Sequence, residues 1–150
     1  MRHIVIIAIL DPDDRWFVHQ RHAHKRVFPS LWGIGAGGTR ETGESVHAAA
    51  ARELREETGL DTAVHPVMDV VDEPTAQHLH LFVTRAAQVP APCAREWSRW
   101  EFIDSGALCA LQDQGLLCPD TSRLLDRLAG GAQPRSRGWH EALRGALSAE

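Results

Sequence analysis

The 150-residue sequence contains no tyrosine, only three cysteines and little aromatic content, 6% in all. Cys93, Cys109 and Cys118 are odd in number and form no CxxC pair, which excludes a disulfide framework and a zinc knuckle. They are expected as buried free thiols in a reducing compartment. An excess of positive charge is also missing: 16 Lys and Arg stand against 20 Asp and Glu, a net charge of −4. That balance excludes a global pull toward nucleic-acid polymers or anionic membranes, so a phosphate-bearing ligand has to be gripped locally. No apolar stretch approaches membrane-spanning length. The opening run Ile4 to Leu10 is too short for a signal peptide, lacks a small-residue cleavage site and runs into the turn Asp11-Pro12-Asp13-Asp14. With 43% hydrophobic residues, the chain suits one compact cytoplasmic domain.

Local patterns place the elements. Ile4 to Leu10 reads as a buried strand and Trp16 to Arg21 as a second, together a plausible hairpin. A basic segment, Arg21 to Arg26, leads through Phe28-Pro29-Ser30-Leu31-Trp32 into Gly33-Ile34-Gly35-Ala36-Gly37-Gly38, where the chain is expected to bend or approach something closely. Ser45 is an N-cap for a helix over Val46 to Thr58, stopped by Gly59, with Val46, Ala50 and Leu54 as its core stripe. Strands are expected over Val64 to Val71, His78 to Thr84 and Trp97 to Ile103, then a helix from Pro119 to Leu128. Residues 130 to 138 have linker composition and are expected to be mobile unless packed down. A last helix, Trp139 to about Leu147, carries the stripe Trp139, Leu143, Leu147, which needs an apolar partner on this domain or on a second subunit. The division expected is a domain over 1 to 129, followed by a linker and C-terminal helix over 130 to 150. Strands mixed with a few helices imply an α/β fold, a mixed sheet covered on both faces.

The helix ending at Gly59 is written against its own stability. Glu53, Glu56 and Glu57 are three and four residues apart and so share one face. They occupy the last turns, where the helix dipole opposes negative charge by about 0.3–1 kcal/mol each. A solvated acidic face is one reading of such a cluster. The other is a site for divalent cations, because Mg²⁺ is held by a few carboxylates, water and substrate phosphates.

The surrounding residues favour the second. From Gly38 the chain reads glycine, five residues, Glu44, seven residues, then Arg52-Glu53-Leu54-Arg55-Glu56-Glu57-Thr58-Gly59-Leu60. This resembles the signature of the Nudix hydrolase family at all nine of its specified positions, over 23 residues. The resemblance implies an α/β/α sandwich and a metal-dependent hydrolase that cleaves the phosphoanhydride bond of a nucleoside diphosphate linked to another group, or of a related organic diphosphate. It implies Mg²⁺ or Mn²⁺ as cofactor, held by Glu53, Glu56 and Glu57 with Gly38 beside them. It also implies that Glu44 and Arg52 hold one another and orient the ligands, which suits a carboxylate and a guanidinium at that spacing.

The proton acceptor is open among Glu56, Glu57 and a glutamate outside the motif, for which Glu96 and Glu101 are the local candidates. Arg21 and Lys25 are candidates for clamping substrate phosphates, and Trp32 for stacking on a base. His22/His24 and His78/His80 have a spacing that puts both rings on one face of a strand, as some zinc sites require, but no third ligand stands out. One departure matters. Many members of the family have proline-glycine-glycine before the motif, whereas this chain has Gly35-Ala36-Gly37-Gly38, similar to the branch that includes isopentenyl-diphosphate isomerase and its hydrolase-like relatives. The isomerases carry a catalytic cysteine in this stretch, and Gly33 to Gly38 has none, which disfavours isomerase activity. The rival from another class is a binding module that keeps the fold without catalysis, and the complete set of Glu44, Arg52, Glu53, Glu56 and Glu57 argues against it. The expected partner is a small-molecule diphosphate or nucleotide. The C-terminal stripe is the sole hint of a homodimer.

Overall fold

Strand β1 (Arg2–Leu10) is an unbroken apolar run from Ile4 onward because that part lies inside the sheet with both faces covered. The computed structural model describes residues 1–149; Glu150 lies outside the described residues. β1 has three neighbours. After β2 (Trp16–Arg21) and β3 (Trp32–Ile34), β4 (Ala36–Thr39) returns antiparallel to β1, and β6 (Gln77–Arg85) runs parallel to it along its whole length, from Arg2↔Gln77 to Leu10↔Arg85. The β1–β2 hairpin has one register pair, Leu10↔Trp16, after which β2 diverges to pair with β3 and with β7 (Trp97–Ile103). β5 (His65–Asp72) closes the other edge against β6. The seven-stranded sheet is mixed.

Alternation along β1 assigns the layers. Val5, Ile7 and Ile9 pack with Phe82 and with Ala49, Ala50 and Leu54 of α1 (Val46–Thr58). Ile6, Ala8 and Leu10 face the opposite layer, where Leu124 and Leu125 of α3 (Pro119–Ala129) meet Trp139 and Leu143 of α4 (Arg135–Ser148). The expected α/β/α sandwich is present. A helix without a sequence expectation, α2 (Ser105–Asp113), sits beside this second layer and buries Leu108. Its N-cap is Asp104, whose Oδ1 accepts from the Ala107 N–H at 2.8 Å. Short, with one buried apolar residue, it carries too little periodicity to be read from sequence.

At the backbone one expectation, a bend and close approach in the glycine-rich stretch, is met at Gly35, and another changes. The glycine-rich stretch is a pair of short strands, broken at Gly35, where φ is +55° and a Cβ would lie 1.7 Å from the Ile7 carbonyl oxygen. Only glycine fits there. Of the nine residues read as a linker, 130 to 138, the last four are helix, since α4 begins at Arg135. A Cβ on Gly138 would lie 2.1 Å from the Ala129 carbonyl oxygen, so this glycine is what brings α4 down onto the end of α3. Trp139 is fully buried, donates Nε1–H to the Leu125 carbonyl at 2.8 Å and meets Trp16 edge-on at 5.8 Å. The stripe that suggested a second subunit is therefore covered by this chain's own core, with Leu147 partly buried against it. Of the three free thiols, Cys118 is buried as expected, but Cys93 and Cys109 are half-buried. Among the described residues, no helix is long and apolar enough to cross a membrane.

Candidate metal centre

Helix α1 begins where Ser45 Oγ accepts from the Ala48 N–H at 3.0 Å and ends where Gly59, at φ 76°, donates its N–H to the Arg55 carbonyl. Leu54 and Ala50 fix its inner face against the sheet, and this rotation lays Glu53 and Glu57 along β4. Glu57 Oε1 accepts from the Gly37 N–H at 2.8 Å. A Cβ on Gly38 would fall 2.4 Å from the Glu53 carboxyl. The two glycines of β4 are thus bare backbone against which two carboxylates lie, a physical reason for glycine before the acidic helix. Glu56, on the outer side, is mostly exposed.

Arg52 organises the rest. Its Nε and Nη2 donate to the two oxygens of Glu44 at 2.8 and 3.0 Å, a bidentate pair. Nη1 donates to Glu53 at 2.9 Å and to Glu56 at 3.3 Å, and Nη2 also reaches the Thr39 carbonyl at 3.2 Å. One guanidinium therefore holds three glutamates and the end of β4. The Arg52 hydrogen bonds pull the Glu44 pKa down to about 2, and the same contact with Glu44 raises that of Arg52.

The inner carboxylates behave differently. Burial raises the pKa of Glu53, and burial pushes that of Glu57 up to about 7 despite the Gly37 N–H, with Glu53, Glu96 and Glu56 adding repulsion. Carboxylates that desolvation and mutual repulsion make reluctant to ionise, lying side by side on a fixed backbone, are a donor set that a hard divalent cation would satisfy. Glu53, Glu56, Glu57 and the backbone at Gly38 are the groups positioned to hold such an ion. Its charge would favour the ionised form of each carboxylate.

Beside this face opens a cleft of about 420 Å³, lined by Glu57, Gly37, Gly38, Arg21, Glu96 and Trp97, among others. Lys25 Nζ pairs with Glu96 at 2.5 Å, and that ion pair pulls the Glu96 pKa below the usual carboxylate range. Arg21 lines the cleft while donating Nε–H to the Val27 carbonyl at 2.9 Å. Trp32 is placed elsewhere: it is buried in the layer of α3 and α4, with the Arg99 guanidinium over its ring at 5.5 Å. The aromatic rings at the cleft are those of Trp97 and Phe28 instead. Glu101 is exposed on β7, outside the cleft lining. His22 is tied to the Ala94 carbonyl at 2.8 Å and stacks on His24.

The structure adds two cleft residues that the sequence did not single out. His19 stacks on Trp97, rings parallel within 8° and 4.4 Å apart, and donates Nδ1–H to the Gly35 carbonyl at 2.7 Å. Burial lowers its pKa to about 4, so it stays a neutral imidazole with Nε2 against Gly33. In sequence it is an unremarked strand residue. Cys118 also lines the cleft, carried there by the bridge between Trp32 and Leu117. A thiol is thus near the glycine-rich strands in space although none is near in sequence. Burial pushes its pKa up to about 12, so it is fully protonated.

The sequence pattern of the NUDIX domain family matches residues 1–120. This chain belongs to the Nudix family. It is 42% identical over 67 residues to an uncharacterised Nudix hydrolase of Streptomyces coelicolor, a match covering 44% of this chain and 37% of that one. It is 30% identical over 105 residues to an isopentenyl-diphosphate Delta-isomerase of Halorhodospira halophila, covering 64% of this chain and 60% of that one. The chain therefore spans less than two thirds of the length of these curated relatives. In fold, it resembles a crystal structure from Deinococcus radiodurans with a TM-score of 0.75 and 20% identity, covering 84% of this chain and 82% of that one. The Nudix motif spans Gly38 to Leu60, and the fold built around it is the α/β/α sandwich described above.

Proposed function

We propose that the chain is a metal-dependent diphosphohydrolase that cleaves the phosphoanhydride bond of a nucleoside diphosphate linked to another group, or of a related organic diphosphate. The observation that carries this reading is the pair of carboxylates, Glu53 and Glu57, laid on the Gly37–Gly38 backbone at the edge of a cleft. Bound Mg²⁺ or Mn²⁺ would neutralise diphosphate charge and acidify water.

The chain's own residues have separable tasks. Arg52, clamped by Glu44, fixes the orientation of Glu53 and Glu56, the outer-layer support that such sites require. Arg21, which lines the cleft, and Lys25, which pairs with the cleft residue Glu96, would serve as phosphate contacts. An incoming diphosphate competes with Glu96 for Lys25, and a Glu96 carboxylate released from that ion pair becomes a stronger proton acceptor. The stacked pair Trp97 and His19 offers a flat, uncharged wall for the organic portion. The identity of that portion is set by this wall and not by the motif.

The test is a screen of nucleoside triphosphates, dinucleoside polyphosphates, nucleotide sugars, coenzymes and prenyl diphosphates with Mg²⁺ and with Mn²⁺. Products are identified, and Glu56→Gln and Glu57→Gln are assayed in parallel. Phosphate or pyrophosphate release that both substitutions reduce by about 10²-fold or more is the expected result. Undiminished release in both variants contradicts the proposal. Conversion of isopentenyl diphosphate without phosphate release would assign the cleft and its Cys118 to isomerisation.

A further inference from the structure

The pairing of β1 with β6 supplies a ligand set that the sequence left incomplete. His78 and His80 alternate along β6, so both rings point to the α1 face of the sheet. The parallel register sets His3 of β1 directly beside His78, with Val5 beside His80. Each of the three imidazoles offers one ring nitrogen within 4.8 Å of the others. His3 Nδ1 and His80 Nε2 are 2.9 Å apart. The rings lie face to face or tilted, with centroids 4.2 to 5.1 Å apart. None of the three lines the cleft beside Glu57.

We propose that His3, His78 and His80 form a second metal site, for a divalent transition ion of the zinc class, separate from the carboxylates of α1. Three neutral imidazoles suit Zn²⁺, Co²⁺, Ni²⁺ or Cu²⁺, whereas Mg²⁺ takes oxygen donors. The protonation pattern fits. His80 Nδ1 donates to Asp69 Oδ1 at 2.8 Å, and Asp69 is the direct cross-strand partner of His80 on β5. That carboxylate fixes the tautomer of His80 and leaves Nε2 with a free lone pair, the arrangement in which a carboxylate orients a metal-binding histidine. Burial lowers the pKa of His3, with the nearby Arg40 guanidinium contributing. With Arg40 beside His3 and Asp69 on His80, the local charge roughly balances.

Only a small adjustment is needed. Zinc–nitrogen bonds of about 2.0–2.1 Å in a tetrahedron separate ligand nitrogens by roughly 3.3 Å, so the 2.9 Å contact between His3 and His80 has to open by a few tenths of an ångström. On binding, the Nδ1 proton that His3 donates to His80 Nε2 moves through solvent to His3 Nε2, which frees both facing nitrogens for the ion, and the fourth position is left for water. It would tie the first residues of β1 to β6 and, through Asp69, to β5.

The test uses the full chain carrying Glu53→Gln, Glu56→Gln and Glu57→Gln, so that the α1 carboxylates do not compete. Co²⁺ and Zn²⁺ are titrated by absorption and calorimetry, with Mg²⁺ as competitor. The proposal predicts one equivalent of Co²⁺ with the intense visible band of a four-coordinate nitrogen-ligated ion, displaced by Zn²⁺ and not by Mg²⁺. His3→Gln and His78→Gln, both at half-buried positions, each weaken binding at least tenfold, and Asp69→Asn weakens it by about 10–100-fold. Unfolding midpoints without metal serve as the fold control, and either histidine substitution that matches its parent carries the test. Absence of stoichiometric Co²⁺ binding, or binding unchanged by both histidine substitutions, overturns the proposal. So do imidazole ¹⁵N shifts that stay unmoved on adding one equivalent of Zn²⁺, which would make the cluster a hydrogen-bond chain only. Because the α1 carboxylates are already removed, the outcome is independent of the hydrolase reading.

Discussion

At the scale of single residues, the glycines of the β3–β4 segment divide into two kinds that predict opposite phenotypes. Gly35 faces backbone: with φ at +55° and the Ile7 carbonyl oxygen 1.7 Å from a would-be Cβ, Gly35→Ala has to displace β1. We expect a loss of about 2 kcal/mol or more, read as a lowered urea midpoint. Gly38 faces the end of a flexible side chain, the Glu53 carboxyl, which can swing away. Gly38→Ala is therefore expected to unfold within about 1 kcal/mol of the parent while its metal-dependent turnover falls at least tenfold, read by denaturant titration beside initial rates. The sequence signalled a need for glycine here but could not tell these cases apart, because the difference lies in which atoms of β1 and α1 come opposite. The same blindness applies to His19, whose stacking on Trp97 joins residues nearly 80 positions apart.

At the scale of elements, α1 was legible and the C-terminal region was only half so. Cap, stop, apolar stripe and acidic face of α1 are all encoded within 15 consecutive residues, Ser45 to Gly59, so local patterns sufficed. Residues 135–138 look like linker because Gly130, Gly131, Pro134 and Gly138 outweigh the helical bias of the two arginines, and they fold as the first turn of α4 because Trp139 and Leu143 anchor the later turns of that helix in the core. Tertiary burial overrode composition. Gly138→Leu, which drives a side chain into the Ala129 carbonyl, is expected to lift α4 from α3 and cost on the order of 2 kcal/mol. Trp139→Ala, which empties a fully buried indole site and leaves the Leu125 carbonyl without its donor, is expected to cost about 3–5 kcal/mol. Thermal unfolding followed by circular dichroism checks both. Trp32 shows the converse: adjacency to the motif in sequence suggested the cleft, but the β3 register turns its ring into the core.

At the scale of the whole molecule, the acidic face couples stability to pH and to metal. Glu57 titrates at 4.5 when unfolded and at about 7 when folded, so between these values the folded state binds the extra proton. Without metal, stability therefore falls as pH rises from about 4.5 through about 7, by an amount on the order of 3 kcal/mol at most from this group. Glu44 works in the other direction. Its folded value near 2 gives stability that is present above about 4.5 and lost as the solution is acidified toward 2. A metal-free preparation should accordingly be most stable in mildly acidic solution, and Mg²⁺ or Mn²⁺ should raise its unfolding temperature more at pH 8 than at pH 5.5, where a proton competes for Glu57.

The central claim is that the inner carboxylates of α1 are retained for a cation and its diphosphate ligand, at a cost to the metal-free fold. The most direct measurement is Glu57→Gln at pH 8, compared with the parent for denaturant stability without metal, for metal-induced stabilisation, and for metal-dependent phosphate release. The account predicts a metal-free variant at least as stable as the parent, with metal-induced stabilisation and turnover both lost. A variant that is less stable without metal yet keeps its metal response and turnover would contradict it.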